Sequence, residues 1–275
     1  MHQTREVEPD GLVGEIQEQS SDETDSINGM EIESQQVEQS SDETKSVNGM
    51  EQVEETSETD PVKGKELTTK RGTTPPLNFL AILNDANITD LDMSSPDKLC
   101  DQLYAGVFLE PNKLKYFVDK KLNKNCFVVF ARKLLISWYD NPEYWKWTKE
   151  KDTRGEDIEV AELVKVLWLD IQGTFQTIDL SPGTVYEVVF IVKIEDYSWR
   201  DNSVTLTLIL PRSKSITRHV KLNKKPLGKW IEIQVGEFIM SPENVGEITF
   251  KLGEYSSEWK TRLVLKCAII RPKNY

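Results

Sequence analysis

The chain has 275 residues, 38% of them hydrophobic and 29% charged, with a formal net charge of −12. That length is enough for one or two domains with a substantial core. No apolar run approaches the roughly 18 residues of a membrane-spanning helix, and the opening MHQTREVEPDG lacks the apolar stretch of a secretory signal.

The acidity is local. Residues 1–71 hold 6 of the 34 Lys/Arg and 19 of the 46 Asp/Glu, which is −13, so the remainder is +1. A near-neutral body gives no electrostatic case for nucleic acid or anionic lipid as the main ligand. The three cysteines, Cys100, Cys126 and Cys267, are odd in number and far apart. They form neither a disulfide framework nor a zinc spacing, and they predict reduced thiols in a cytoplasmic or nucleocytoplasmic setting.

In chain order, residues 1–75 contain no Phe, Trp or Tyr and are rich in Glu, Ser, Gln and Thr. Such a segment cannot bury enough apolar surface to offset its chain entropy, and we expect a disordered acidic tail. It carries a duplication: residues 19–31 read QSSDETDSINGME and residues 39–51 read QSSDETKSVNGME. The repeat is too polar to stack as a solenoid.

Residues 76–125 read as a helical segment and a hairpin. Leu77 to Leu83 suggests a helical turn. A better helix starts at Ser95, a good N-cap, followed by Pro96 at the first helical position and Asp97 in the first turn. Leu99, Leu103 and Val107, with Cys100, Tyr104 and Phe108, give it a wide apolar face. The hairpin joins residues 116–121 to 125–130 around Leu122-Asn123-Lys124.

Residues 126–275 alternate as strands. Leu134, Ile136 and Trp138 predict one, broken by Asp140-Asn141-Pro142. Residues 159–171 are almost continuously apolar and read as one central strand, with Trp168 in the core. Further alternating sets are Tyr186 to Ile194, Val204 to Leu210, Ile231 to Val235, Ile248 to Leu252 and Leu263 to Ile269, separated by Ser, Pro, Gly, Asp and Asn turns. The pattern predicts an all-β fold, an antiparallel, jelly-roll-like β-sandwich.

The chemistry expected is binding. There is no nucleophile motif, phosphate loop or metal-ligand spacing, so neither catalysis nor a cofactor is expected. Glu159, Glu162 and Asp170 read as solvated strand-edge carboxylates rather than a glycosidase pair. Trp138, Trp145 and Trp147 sit at or just past a strand end beside Asp140, Asn141 and Tyr144. Indole faces stack on the C–H face of a pyranose, and amide, carboxylate and phenol groups bond its hydroxyls. These six residues are the candidate carbohydrate site. Trp199, in a predicted loop, could flank a second sugar. Trp230 and Trp259 stay open between core and surface.

Three blocks carry a family resemblance: ARKLLISWYDNPEYWKW (131–147), EVAELVKVLWLDIQG (159–173) and GKWIEIQVGEF (228–238). Their order and spacing resemble the phloem protein 2 lectins, plant proteins that share their domain with the tobacco agglutinin Nictaba. The resemblance implies non-catalytic binding of N-acetylglucosamine oligomers, N-glycans or glycoproteins, and it implies Trp138 and Trp145 as sugar-associated positions. A structural phloem protein and a second copy of the chain are the other candidate partners. The alternative function is an interaction or structural module in which sugar binding is weak or lost.

Amide proton NMR of the full chain should show narrow dispersion for the two repeats. Dispersed amides there would overturn the expectation of a disordered tail.

Overall fold

The structure is a computed structural model and describes residues 74–273 except 153, 197, 198 and 200–202. The duplication and all of the acidic tail except residues 74 and 75 lie outside the described residues.

Two short helices precede the strands: α1 (Phe79–Asp85) and α2 (Pro96–Ala105). The α2 N-terminus is built as expected. The Ser95 hydroxyl accepts the Lys98 N–H, Pro96 opens the helix, and Asp97 lies in the first turn. Leu99, Cys100 and Leu103 are buried. The helix stops earlier than its apolar spacing suggests. Gly106 takes φ +86° and caps it, and Val107 and Phe108 enter a strand instead.

That strand, β1 (Val107–Glu110), leads to β2 (Leu114–Asp119) and β3 (Lys124–Phe130), the expected hairpin. Then come β4 (Leu135–Ile136), β5 (Trp145–Lys151), β6 (Asp157–Leu163), β7 (Leu169–Gln176), β8 (Val185–Ile194), β9 (Ser203–Ile209), β10 (Ser215–Lys221), β11 (Trp230–Ile239), β12 (Glu247–Glu254) and β13 (Leu263–Pro272). All the pairings are antiparallel. One sheet has five strands, in the order β10-β9-β12-β7-β4. The other has eight and is organised by β13. One edge of β13 pairs along its length with β8, which pairs in turn with β11. On the other edge, Val264 and Leu265 meet β6, and Cys267 to Ile270 meet β3. Thus β5-β6 and β1-β2-β3 abut end to end on one strand.

The two sheets enclose the core. Tyr186, Val188, Phe190, Val192 and Ile194 of β8 face Val204, Leu206 and Leu208 of β9 and Ile248, Phe250 and Leu252 of β12, all buried. Within the five-stranded sheet, Gly173 of β7 makes room for the ring of its cross-strand partner Phe250 on β12: an added Cβ would lie 2.2 Å from that ring. A buried polar knot ties the N-terminal segment to this body. Asn125 accepts the Tyr116 hydroxyl and donates to the carbonyls of Leu77 and Asp179, and its own carbonyl accepts the Tyr186 hydroxyl.

Three strand expectations are corrected. The strand predicted over Leu134 to Trp138 shrinks to Leu135–Ile136, preceded by a 3₁₀ turn over Ala131–Lys133. There the chain leaves the eight-stranded sheet for the other one. The apolar run 159–171 is two strands in different sheets, β6 and β7, because the residues between them also carry apolar side chains as they cross. In β13 the alternation slips one residue. A bulge at Lys266, where the strand changes partners, puts Leu263, Leu265, Ala268 and Ile270 in the main core. Cys267 and Ile269 instead join a small cluster with Phe130 and Ile158.

All three cysteines are buried, and none is in a disulfide. Burial raises the pKa of each, that of Cys267 to about 12. Thiol titration should therefore be slow on native protein and should count three groups after denaturation. A count of one would reveal a disulfide.

Candidate functional site

At one end of the sandwich the chain crosses repeatedly between sheets, through the β4–β5 connection (137–144), the β6–β7 connection (164–168) and the β12–β13 connection (255–262). These three segments enclose a cleft of about 350 Å³ lined by Trp138, Tyr144, Val166, Leu167, Trp168 and Trp259. Trp138, Trp168 and Trp259 are 60%, 65% and 54% exposed. Large apolar side chains standing that far out together on one concave surface are uncommon on a monomer without a ligand.

The β4–β5 loop is shaped by its own turn residues. Trp138 takes φ +65°, a left-handed conformation costly for a bulky residue. Its carbonyl accepts the Asn141 N–H at 3.0 Å. The Asn141 side chain accepts the Glu143 N–H at 2.9 Å, and its carbonyl accepts from Tyr144 and Trp145. Trp138 and Tyr144 then meet edge to face, with ring centroids 6.0 Å apart.

The other two loops are stitched by one buried cation. Lys260 is 1% exposed, and burial lowers its pKa. Its ammonium donates to the carbonyls of Leu167 (2.5 Å) and Ser256 (2.7 Å) and to the Ser256 hydroxyl (3.0 Å), and it pairs with Glu254. The Lys260 and Val166 backbones exchange two further hydrogen bonds, at 2.8 and 3.0 Å. The segments bearing Trp168 and Trp259 are thus clamped from below, and their indoles are left facing solvent. The Lys165 ammonium stands 5.8 Å from the Trp259 ring centroid.

Of the six residues singled out from the sequence, Trp138 and Tyr144 line this cleft. Asn141 is the turn's internal brace. Asp140 is exposed on another side of the loop, in a second hollow of about 640 Å³ that it lines with Trp145, Trp147, Arg132 and Lys146. The surface position expected for Trp145 is corrected: it is 2% exposed, and its indole N–H donates to the Ser137 carbonyl at 2.9 Å. Trp147 is half-buried. Its N–H donates to the Tyr139 carbonyl at 3.1 Å, and the Arg132 guanidinium covers its ring at 3.6 Å. Both indoles hold the loop from beneath. Trp199 likewise is buried, donating to the Thr261 carbonyl at 2.8 Å.

Trp168 and Trp259 are the residues the sequence reading missed. Trp168 was expected in the core, yet it ends the crossing between sheets and points outward. One signal was available: a thirteen-residue apolar run is longer than the usual strand of 3–10 residues, so a turn had to fall within it. The three carboxylates are engaged structurally. Glu159 forms a two-pronged pair with Arg132, Glu162 accepts the Thr148 hydroxyl, and Asp170 accepts the Tyr255 hydroxyl. Among the described residues no cluster of His, Cys, Asp or Glu could hold a metal ion.

An antiparallel sandwich with an aromatic cleft on its end loops is a ligand-binding architecture. The phloem protein 2 family model matches residues 124–272. The protein named phloem protein 2-like A1 from Arabidopsis thaliana is 46% identical over 204 residues, covering 72% of this chain and 81% of that one. A lectin from Luffa acutangula is 38% identical over 199 residues, covering 71% and 94%. The chain belongs to the phloem protein 2 family.

The reversal of Trp145 and Trp168 is measurable by urea unfolding. Trp145→Ala opens a cavity, strands the Ser137 carbonyl and should cost about 3–5 kcal/mol. Trp168→Ala, at the surface, should stay within about 0.5 kcal/mol of the parent. Equal losses would contradict this placement.

Proposed function

We propose that this protein binds carbohydrate without catalysis, and that its ligands are N-acetylglucosamine oligomers or glycans and glycoproteins containing them. The observation that carries this reading is the cleft itself, with three exposed indoles on separate loops around one hollow. Such rings offer flat faces to the C–H side of pyranose rings, and removing both apolar surfaces from water favours binding. Val166 and Leu167 add an aliphatic wall suited to an acetamido methyl group. The lectin name of the Luffa acutangula relative supports the class. Glu159, Glu162 and Asp170, the carboxylates the sequence offers for a glycosidase pair, are each held by a structural partner, which supports binding rather than hydrolysis. The reduced, buried thiols support a cytoplasmic or nucleocytoplasmic place of action.

Calorimetric titration with chitin oligomers and with cello-oligomers, which lack the acetamido group, tests this reading. The parent should favour chitin oligomers. Trp138→Ala and Trp168→Ala should each lose about 2 kcal/mol, some thirtyfold in affinity, with thermal stability retained. Unchanged affinity in both variants would remove the cleft as the site. Equal binding of both sugar series would remove the specificity.

A further inference from the structure

We propose that the outer face of the eight-stranded sheet holds a second binding site, for a small monoanionic amphiphile such as an aromatic or medium-chain carboxylic acid. It shares no lining residue with the aromatic cleft and does not depend on the carbohydrate reading.

The floor of the site breaks the usual pattern. An antiparallel sheet whose outer face meets water carries polar side chains there. Here the outer positions of four neighbouring strands are apolar instead. Tyr116 and Val118 of β2 point into the main core, so Phe117 between them points out. By the same alternation Val128 and Phe130 leave the outer face of β3, and Ile191 that of β8. On β13 the bulge at Lys266 turns Cys267 and Ile269 to this side. These residues lie in register. Val128 pairs with Ile269, and Cys267 pairs with Phe130 on one edge and Ile191 on the other. At about 4.8 Å between strands, the apolar band from β2 to β8 is about 14 Å wide.

A hollow of about 450 Å³ stands over this band, within the roughly 300–1,000 Å³ of small-molecule sites. The helix α2 packs on β2, so Tyr104 and Ala105 at its end wall one side, and Trp230 of β11 stands at the other. The turn between β5 and β6 supplies a third wall. Its Asp152 pairs with Lys115 of β2 at 2.5 Å, the two side chains being 5% and 6% exposed. Asp152 also accepts the N–H groups of Arg154 and Glu156, so the buried pair that holds this wall in place also shapes its turn.

The charges of the lining select the ligand. They are two lysines and one carboxylate. Lys115 and Asp152 satisfy each other, which leaves Lys266 as the unbalanced charge of the lining. Its ammonium stands 5.1 Å from the Trp230 ring centroid. Its carboxylate partner, Glu150, is 4.0 Å away and is shared with Lys193. A pair that long gains little. An anionic head group held by Lys266, with its apolar body over Val128, Ile191 and Ile269, meets both features of the hollow.

Displacement of anilinonaphthalene sulfonate from the full chain, followed by its fluorescence, tests the site. The parent should bind one probe per chain and release it to decanoate and to decanol. Val128→Phe fills the hollow and should weaken the probe and both competitors at least about tenfold, with thermal unfolding as the check on folding. Ile191→Phe, at a half-buried floor position, should do the same and stands in if Val128→Phe fails to fold. Lys266→Gln removes only the charge, so it should weaken decanoate about fivefold and leave decanol as in the parent. Chitin oligomers should not displace the probe. The proposal is overturned if the parent binds no probe or releases it to neither competitor, if folded filling variants bind as the parent does, or if Lys266→Gln weakens both competitors alike or neither. Displacement by chitin oligomers would mean a single shared site and would overturn it as well. Loss of both competitors from the filled hollow, with loss of decanoate alone in Lys266→Gln, is the result that supports it.

Discussion

The cleft depends on the buried ammonium of Lys260. A charge at 1% exposure is tolerated only when it is paired and fully hydrogen-bonded. Here Glu254 supplies the charge, and Ser256 and Leu167 supply oxygen acceptors. The requirement acts in both directions. The lysine needs those carbonyls, so the two loops providing them must hold their places. Their outer side chains, Trp168 and Trp259, are then fixed by backbone that they do not stabilise themselves. This arrangement lets a protein expose indoles without letting them collapse onto one another.

The β4–β5 loop solves the same problem with neutral groups. The indole N–H groups of Trp145 and Trp147 reach back to the carbonyls of Ser137 and Tyr139, each eight residues away. Asn141 closes the turn from inside. Trp138 can therefore hold a strained φ, because its neighbours over-determine the backbone. The tryptophans of this segment divide their work: one presents a face, and two hold the loop that presents it.

Beneath the loops, β13 fixes where they emerge. A strand with β8 on one edge and both β3 and β6 on the other forces the half-sheets to share an axis. The bulge at Lys266 absorbs the change of partner and redirects Cys267 and Ile269 to the outer face. The crossings from β4 to β5, β6 to β7 and β12 to β13 consequently open at the same end of the sandwich.

The sequence by itself determined the class of fold. Alternation in β8, β9 and β12 marked inward faces that prove buried, and the Ser95-Pro96-Asp97 signal marked a helix start that the structure reproduces. These are local properties, written in side-chain period and cap chemistry. The sequence also identified the segment around Trp138 and Tyr144 as a surface of interest. It could not sort its tryptophans. Trp145 follows a turn and is buried, whereas Trp168 sits in an apolar run and is exposed. Burial here depends on which sheet each neighbouring strand joins, a choice made by pairings between residues distant in the chain, such as Leu135 with Gln172 and Val166 with Lys260. Trp259 joins the cleft for the same reason, more than a hundred residues from Trp138. Period and turn chemistry report on neighbours in sequence. Only the tertiary structure decided which rings meet around one hollow.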